Sequence, residues 1–356
     1  MSTAAEENSG VAPVREGLRF DEAALDRWMR SNVVGYAGPL AVNQFKGGQS
    51  NPTYLLTTPK RRYVLRRKPP GQLLKGAHAV EREARVLTAL AGAGFPVPQV
   101  HGLCTDETVI GTWFYVMDMV DGRIFWDATF PDVSTAERPA YFDAMNATIA
   151  QLHSIDPATA GLADYGRTEG YLQRQIARWS RQYREDTEAG CDPYMDRLVE
   201  WLPAHVPVGD DPAIVHGDFR CDNMIFHPTE PRVLAVLDWE LSTLGHAGLD
   251  FGYHAMMYRM PPHIAAGLRG ADLAALNIPS EAEYRATYCA RRGIADLPGY
   301  DYHVAFNFFR FAAIIHGIKG RVIRGTAASA QAKARADTLP ELARLAWEQA
   351  ERAGAA

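Results

Sequence analysis

Apolar positions recur along this chain with two different periods, and the switch between them divides it. Residues 20–30 carry Leu25, Trp28 and Met29 on one face behind a capping Asp21, which is the spacing of an amphipathic helix. From Leu40 the period shortens. Residues 40–46, 53–57 and 62–67 are rich in β-formers, with Gly-Gly and Thr-Pro-Lys turn signals between them, and predict three linked strands. A helix over 77–91 follows, with Val80, Ala84, Leu87 and Ala91 in one stripe and Glu83 flanking it. Two more strands are predicted over 99–102 and 112–117. After Gly122 the pattern turns helical, with helices at 139–153, 171–183 and 195–202 and almost everything from 249 onward. One short hairpin interrupts it, with strands at 224–226 and 233–237 around the turn 227–231. Strands gathered in the first third and helices in the remainder predict an α+β fold, not a doubly wound sheet.

A chain of 356 residues is long enough for two lobes with a real core. We expect a disordered tail at 1–17, an N-terminal nucleotide-binding lobe over 18–120, and a C-terminal catalytic and substrate-binding lobe over 121–356. A net charge of −5 gives no bulk attraction to nucleic acid or to an anionic membrane surface. The polar N-terminus lacks the apolar segment of a signal peptide, and no apolar run reaches the length of a membrane span. The expectation is a cytoplasmic protein with neither nucleic acid nor membrane as partner. Cys104, Cys191, Cys221 and Cys289 are scattered without metal-ligand spacing, as expected of reduced, buried thiols.

The chemistry is concentrated in Val215-His216-Gly217-Asp218-Phe219-Arg220-Cys221-Asp222-Asn223 and in Val236-Leu237-Asp238-Trp239-Glu240. Taken singly, Asp218, Asn223 and Asp238 have ordinary uses as turn, cap or strand-end residues. Their order and context point elsewhere. Phosphoryl transfer needs one carboxylate to accept the hydroxyl proton, and an amide and a second carboxylate to hold Mg²⁺ on the phosphates. The spacing follows the kinase pattern H-R-D-x-x-x-x-N then D-F-G, with Gly217 in place of Arg and Trp239-Glu240 in place of Phe-Gly. The short hairpin delivers Asn223 and Asp238 to one end of a sheet, and their hard oxygen donors suit Mg²⁺. Upstream, the loop Gly47, Gly48, Gln49 and Ser50 between two strands can lay backbone N–H groups over phosphates, although the chain has no Gly-Lys pair and therefore no Walker A motif. Arg66 stands where a kinase strand carries its Lys, with Arg67 turned to the opposite face, and Glu83 is its natural partner. The strand breaking at Met117–Gly122 reads as a hinge, with Asp118 and Val120 placed to meet the adenine edge.

These stretches, with Asn51-Pro52-Thr53-Tyr54, residues 63–71, His78-Ala79-Val80-Glu81-Arg82-Glu83, residues 121–125, 216–228 and 237–246, resemble the aminoglycoside phosphotransferase (choline kinase-like) family. The branch found with, or fused to, acyl-CoA dehydrogenases is the most similar. The resemblance covers roughly residues 40–325. It implies a bilobed protein-kinase-like fold with a small strand-rich N-lobe and a larger helical C-lobe. It further implies ATP (GTP is an open alternative) and Mg²⁺ as cofactors, Asp218 as catalytic base, Asn223 and Asp238 as metal ligands, and Arg66 with Glu83 in the place of the Lys–Glu pair. Asp250 then has a structural place behind the catalytic loop. A functional link to an acyl-CoA dehydrogenase is implied, although dehydrogenase activity would need a second domain.

For the acceptor, residues 253–324 hold nine Lys or Arg against five acids, the opposite of the acid-lined pocket a polycationic sugar requires. Arg310 sits inside an apolar run, with His316 nearby; a substrate anion or an internal salt bridge would each satisfy it. The expected activity is phosphorylation of a small hydroxyl compound, anionic or acyl-bearing, such as a hydroxyacyl-CoA. The alternatives are an aminoglycoside-type antibiotic kinase and a catalytically weak nucleotide-binding regulatory module. The intact Asp218, Asn223 and Asp238 weigh against the last. A hydrolase reading is poor, because Gly48-Gln49-Ser50-Asn51-Pro52 fails the G-x-S-x-G nucleophile elbow at its last position.

Overall fold

The computed structural model describes residues 10–46, 51–71, 78–327 and 331–356. They fall into two units: one of Met1–Trp126, Ala160–Leu162 and Asp222–Ser242, the other of Asp127–Thr159, Ala163–Cys221 and Thr243–Ala356. The short hairpin thus belongs with the first third of the chain, far away in sequence.

In the first unit, β1 (Val11–Ala12), β2 (Ala41–Phe45), β3 (Thr53–Thr57), β4 (Arg62–Arg67), β5 (Val100–Cys104) and β6 (Phe114–Asp118) form an antiparallel sheet in the order β1-β2-β3-β4-β6-β5. Helix α1 (Glu22–Asn32) starts where Asp21 Oδ1 accepts the Ala24 N–H at 2.9 Å. Its Leu25 and Met29 pack on Tyr54, Leu56, Tyr63, Leu65, Phe114 and Val116 from one face of the sheet. Alternation along β4 then fixes the rest. Tyr63, Leu65 and Arg67 take that face. The Arg67 guanidinium is satisfied by Tyr54 Oη at 3.1 Å and the Leu18 carbonyl at 2.9 Å. Val64 and Arg66 take the other face. There, α2 (Val80–Gly92) packs on β5 and β6.

Strand and helix ends differ from the expected ones by up to three residues, because pairing and caps set them more than side-chain pattern does. Residues 10–17 of the expected disordered tail depart further, while 1–9 lie outside the described residues. Val11 and Ala12 pair with Phe45 and Gln44, and Glu16–Leu18 forms a 3₁₀ turn. A two-residue edge strand has no periodicity, so the sequence gives no sign of it. After β6 the chain bends through Gly122, where a Cβ would lie 2.2 Å from the Phe226 carbonyl oxygen. Only glycine allows that approach, and it lets Arg123 and Phe226 exchange backbone hydrogen bonds at 2.8 Å. The connector is thereby tied to the hairpin Met224–Phe226 and Val233–Val236.

The second unit is helical. The short helix α3 (Glu107–Ile110) closes the helices of the first unit; here α4 (Arg138–Ser154), α5 (Tyr171–Glu185) and α6 (Pro193–Ala204) precede a two-stranded ribbon of Pro212–Val215 and Thr243–His246. After it come α7 (Ala247–Ala255), α8 (Pro262–Ala265), α9 (Glu281–Arg292), α10 (Tyr300–Ile323), α11 (Ala332–Ala336) and α12 (Leu339–Arg352). The central α10 packs against α5, α7 and α12. Among the described residues no helix is long and apolar enough to cross a membrane. The four cysteines are free, with Cys191 exposed, contrary to the expectation that all are buried.

His254, buried behind the Phe219 carbonyl, has a pH signature. Its Nδ1–H donates to that carbonyl at 3.1 Å and Nε2 accepts from Tyr284 Oη at 2.6 Å, so the neutral ring is fully used. Burial holds its pKa down at about 4. Above about pH 6.5 both folded and unfolded chains keep the ring neutral. Between about 6.5 and 4 only the unfolded chain takes the proton, so stability falls with falling pH by about 1.4 kcal/mol per unit. Melting curves of wild type and His254→Gln should therefore converge as pH drops from 7 to 5. Parallel curves would assign the acid sensitivity to other groups.

Candidate active site

Two neighbourhoods carry the candidate chemistry, one in each unit. In the first, a cavity of about 350 Å³ opens on the sheet face opposite α1. Its walls are aliphatic at Val64, Leu87, Met117, Ile225 and Val236, and polar where Arg66, Glu83, Asp222, Asn223 and Asp238 converge. Asp118 and Val120 also line it. Six of the sequence-selected residues therefore share one cavity: Arg66, Glu83, Asp118, Val120, Asn223 and Asp238. Gly47, Gly48, Gln49 and Ser50 lie outside the described residues.

Arg66 is the electrostatic centre of this cavity. β4 register places it beside Tyr115 on β6 and Thr53 on β3. Its Nε is 2.8 Å from Glu83 Oε2, and its Nη2 is 2.9 Å from Asp238 Oδ1 and 3.5 Å from Glu240 Oε2. Burial works to lower the guanidinium pKa, but Glu83, Tyr115, Asp238 and Glu240 outweigh it and leave it raised. Burial raises the Glu83 carboxyl, against the pull of Arg66. Glu83 is held further by Asn51 Nδ2 at 2.8 Å and Tyr115 Oη at 3.1 Å. Asn51 is fully buried and also bonds His78 Nδ1 at 2.9 Å. Asn51 and Asp222 lie within the sequence motifs but carry no expected site role.

Asp238 adopts φ +63°, the left-handed region, at a cost of about 1–3 kcal/mol for a residue with a side chain. Asp tolerates it better than most, and such strain concentrates at functional sites. The next residue, Trp239, anchors the turn by donating Nε1–H to the Val236 carbonyl at 2.9 Å and meeting Phe95 edge-on. Asp118 differs from expectation in detail. Its N–H donates to the Gln99 carbonyl at 2.9 Å, and its carboxylate bonds Arg61 and His101. That amide is spent within the sheet edge, which leaves the connector after it as the source of free backbone groups.

Among the described residues no group of three or more His, Cys, Asp or Glu is arranged to hold a metal ion. The donor set at Asn223 and Asp238 instead offers two protein oxygens of the hard kind in a cavity roomy enough for a polyphosphate. That fits a Mg²⁺ whose remaining ligands are phosphate and water.

In the second unit the ribbon strand Pro212–Val215 runs into His216-Gly217-Asp218. The buried Asp250 on α7 accepts the His216 N–H and the Gly217 N–H, each at 2.8 Å, and lies 3.2 Å from His153 Nε2. Burial pushes Asp250 upward, yet His153 and the His216 amide outweigh it and hold the carboxyl below its ordinary range. Asp250 therefore fastens the loop, as the resemblance implies. Gly217 takes φ +82° to turn the chain, and Asp218 follows half-buried. Asp218 Oδ1 accepts a short hydrogen bond from Tyr253 Oη, and Arg220 Nε stands 3.7 Å away. Burial, then Asp218, push the Tyr253 phenol well up. Arg310 Nη2 donates to the Gly217 carbonyl at 2.8 Å, and its guanidinium lies over the rings of Tyr253 and Trp179 at 5.3 and 5.7 Å. It forms no ion pair with a carboxylate among the described residues. His316 serves elsewhere, with Nε2 donating to the Gly190 carbonyl at 2.8 Å and its ring against Tyr183. Tyr253 is the residue sequence reasoning missed here. Nothing local marks a phenol that meets a carboxylate 35 positions away.

Comparison with known proteins extends this geometry. Residues 41–303 match the phosphotransferase enzyme family APH. Acyl-CoA dehydrogenase family member 11 of Gallus gallus is 44% identical over 353 residues, covering 96% of this chain and 45% of the relative. This chain spans less than half the length of the curated relatives it matches. A crystal structure from Ralstonia eutropha, assigned to the aminoglycoside phosphotransferases, is 50% identical with a TM-score of 0.87, covering 94% of this chain and 99% of that one. The hygromycin B complex of aminoglycoside phosphotransferase APH(4)-Ia with ADP shares the fold at a TM-score of 0.58 and 13% identity, over 94% and 99% of the two chains.

Proposed function

Because this chain belongs to the phosphotransferase enzyme family, we propose that it moves the terminal phosphoryl group of ATP onto a hydroxyl of an anionic or acyl-bearing alcohol such as a hydroxyacyl-CoA. The observation that carries the kinase reading is the convergence of Arg66, Glu83, Asn223 and Asp238, from three separate segments, on one cavity. Val64, Leu87, Met117 and Val236 give a flat base an apolar slot, and the backbone after Asp118, through Val120, reads its edge. Gly47, Gly48, Gln49 and Ser50 are assigned to the phosphates. Arg66, oriented by Glu83, pairs with phosphate oxygens. Asn223 and Asp238 would hold Mg²⁺, which would supply positive charge to neutralise the charge building on the phosphates.

Asp218 is the base. Tyr253 Oη bonds Oδ1 and orients the carboxylate that accepts the acceptor's proton. As the acceptor oxygen bonds to phosphorus, the bond to the bridging oxygen breaks, and ADP leaves with that electron pair. Tyr253 and Arg310 keep the base and its loop in place. Replacing Tyr253 by Phe should lower kcat about tenfold, the weight of one charge-assisted hydrogen bond, with KM values and melting temperature unchanged. A drop in melting temperature with kcat intact would reduce Tyr253 to packing.

For the acceptor, the surroundings of Asp218 are cationic and aromatic: Arg220, Arg310, Tyr253 and Trp179. A polyamine sugar would be repelled there, whereas a carboxylate, phosphate or thioester-linked chain is welcome. The names of the curated relatives put acyl-CoA chemistry on the same long polypeptides, which supports a functional link to an acyl-CoA dehydrogenase. Hydroxyacyl-CoA compounds and kanamycin-type sugars compared as acceptors, by ADP release, test this choice. Turnover with the acyl compounds is the expected result; turnover with sugars alone would overturn it.

A further inference from the structure

Six of the nine basic residues between 253 and 324 pair with carboxylates: Arg259, Arg269, Arg285, Arg291, Arg292 and Arg324. Arg310, Lys319 and Arg321 have no carboxylate partner among the described residues, and all three lie on α10. The excess of positive charge is therefore local to one helix. Its neighbour α5 adds Arg178 and Arg181, which also lack carboxylate partners among the described residues.

Arg178, Arg181, Arg321 and Arg324 wall a cleft of about 570 Å³ between these two helices. Its floor is built close. Gly317 lines it, and a Cβ on Gly320 would lie 2.0 Å from Asp186 Oδ2, so glycine there seats Asp186 against α10. Arg324 then clamps that carboxylate at 2.6 and 2.9 Å. With Asp186 committed, three guanidinium groups face the cleft against one remaining acid, Glu185. Like charges held around a concave surface repel one another, and a multivalent anion relieves that repulsion. The planar fork of arginine matches phosphate oxygens two at a time.

We propose that this cleft binds the phosphate groups of the acceptor, a phosphate or pyrophosphate ester at the far end of the acyl chain that offers its hydroxyl to Asp218. The inference rests on the acyl-CoA reading above and adds where the nucleotide end of that acceptor sits. The geometry along α10 suits it. Arg310 bonds the Gly217 carbonyl beside Asp218, and Arg321 lies eleven residues further on, a rise of about 16 Å. An extended tether of that order separates a reacting hydroxyl from a phosphate cluster.

Calorimetric titration of the full chain, with its ATP cavity saturated by AMP-PNP and Mg²⁺, tests the assignment. Coenzyme A should bind, inorganic pyrophosphate should compete with it, and pantetheine, which lacks phosphate, should give no heat. Arg181→Glu and Arg321→Glu should each weaken coenzyme A binding by at least about tenfold, while Lys333→Glu, on α11, leaves it unchanged. Raised salt should weaken it in parallel. Wild-type affinity in both charge-reversed variants, or equal affinity for coenzyme A and pantetheine, overturns the cleft. The two readings fail separately. If hydroxyacyl-CoA is phosphorylated with an unaltered KM in both variants, the cleft is wrong and the kinase reading stands. If coenzyme A binds through these arginines but no hydroxyacyl-CoA is phosphorylated, the acceptor reading is wrong and the cleft stands.

Discussion

Asp218→Asn is expected to lower turnover by about 10²–10⁴-fold, the usual weight of a positioned general base, with ATP affinity close to wild type. The substitution removes proton affinity and little else. The loop is fastened from behind by Asp250 through the His216 and Gly217 amides, and from the side by Arg310 on the Gly217 carbonyl. An Asn side-chain oxygen still accepts from Tyr253 Oη. Asp218 stands in the helical unit, whereas the Arg66 cavity is lined by residues of the other unit throughout. Single-turnover kinetics with a working acceptor, alongside ATP titration, separate the two effects. Near-wild-type turnover would remove Asp218 from the base role, and a parallel collapse of ATP binding would make its effect structural.

Asp238→Ala should act in the opposite sense and weaken MgATP binding by on the order of 10–100-fold or more, the range in which even indirect ligand-supporting contacts fall. Two losses combine. A hard oxygen donor disappears beside Asn223, and Arg66 loses the acceptor 2.9 Å from its Nη2. Asp238→Asn is the control for backbone strain, because Asn shares the tolerance of Asp for φ +63° and Ala does not. Both variants should show reduced Mg²⁺ dependence of ATP binding, Asn less than Ala because a neutral amide oxygen still donates, with Asn retaining the wild-type melting temperature. Calorimetric titration with ATP, with and without Mg²⁺, reads the difference. Equal MgATP affinity in Asp238→Asn and wild type would move the metal site elsewhere.

Much of this arrangement is legible in the chain because it is encoded by local periodicity. The alternation of β4 separates Arg66 from Arg67, and each finds its own partners on opposite faces of the sheet. The stripe of α2 leaves Glu83 beside an apolar face, and a buried carboxylate there demands a cation. Strands 53–57, 62–67 and 224–226 fall where the pattern puts them. What stays hidden depends on contacts between distant segments. Nothing near Tyr253 signals that its phenol meets Asp218, and nothing near Asn51 signals that its amide meets Glu83. The pairing of Val11–Ala12 with β2 rests on backbone groups that every residue carries. The basic excess of 253–324 is visible by counting, but only the fold shows that six of the nine charges are paired, while Arg310, Lys319 and Arg321, all on one helix, have no carboxylate partner among the described residues. For Arg310 the internal salt bridge does not appear among the described residues; a loop carbonyl and two aromatic rings hold its guanidinium.

The central claim is that this chain is an ATP-dependent kinase of a hydroxyl compound. The most direct measurement incubates the protein with γ-labelled ATP, Mg²⁺ and a hydroxyacyl-CoA, and follows ADP and phosphorylated acceptor together by mass spectrometry. Equimolar ADP and a phosphate monoester on the acyl hydroxyl are expected, both lost when Mg²⁺ is chelated and when Asp218 is replaced by Asn. MgATP binding with neither ADP nor phosphorylated product, across hydroxyacyl and sugar acceptors alike, would contradict it and leave a nucleotide-binding module without transferase activity.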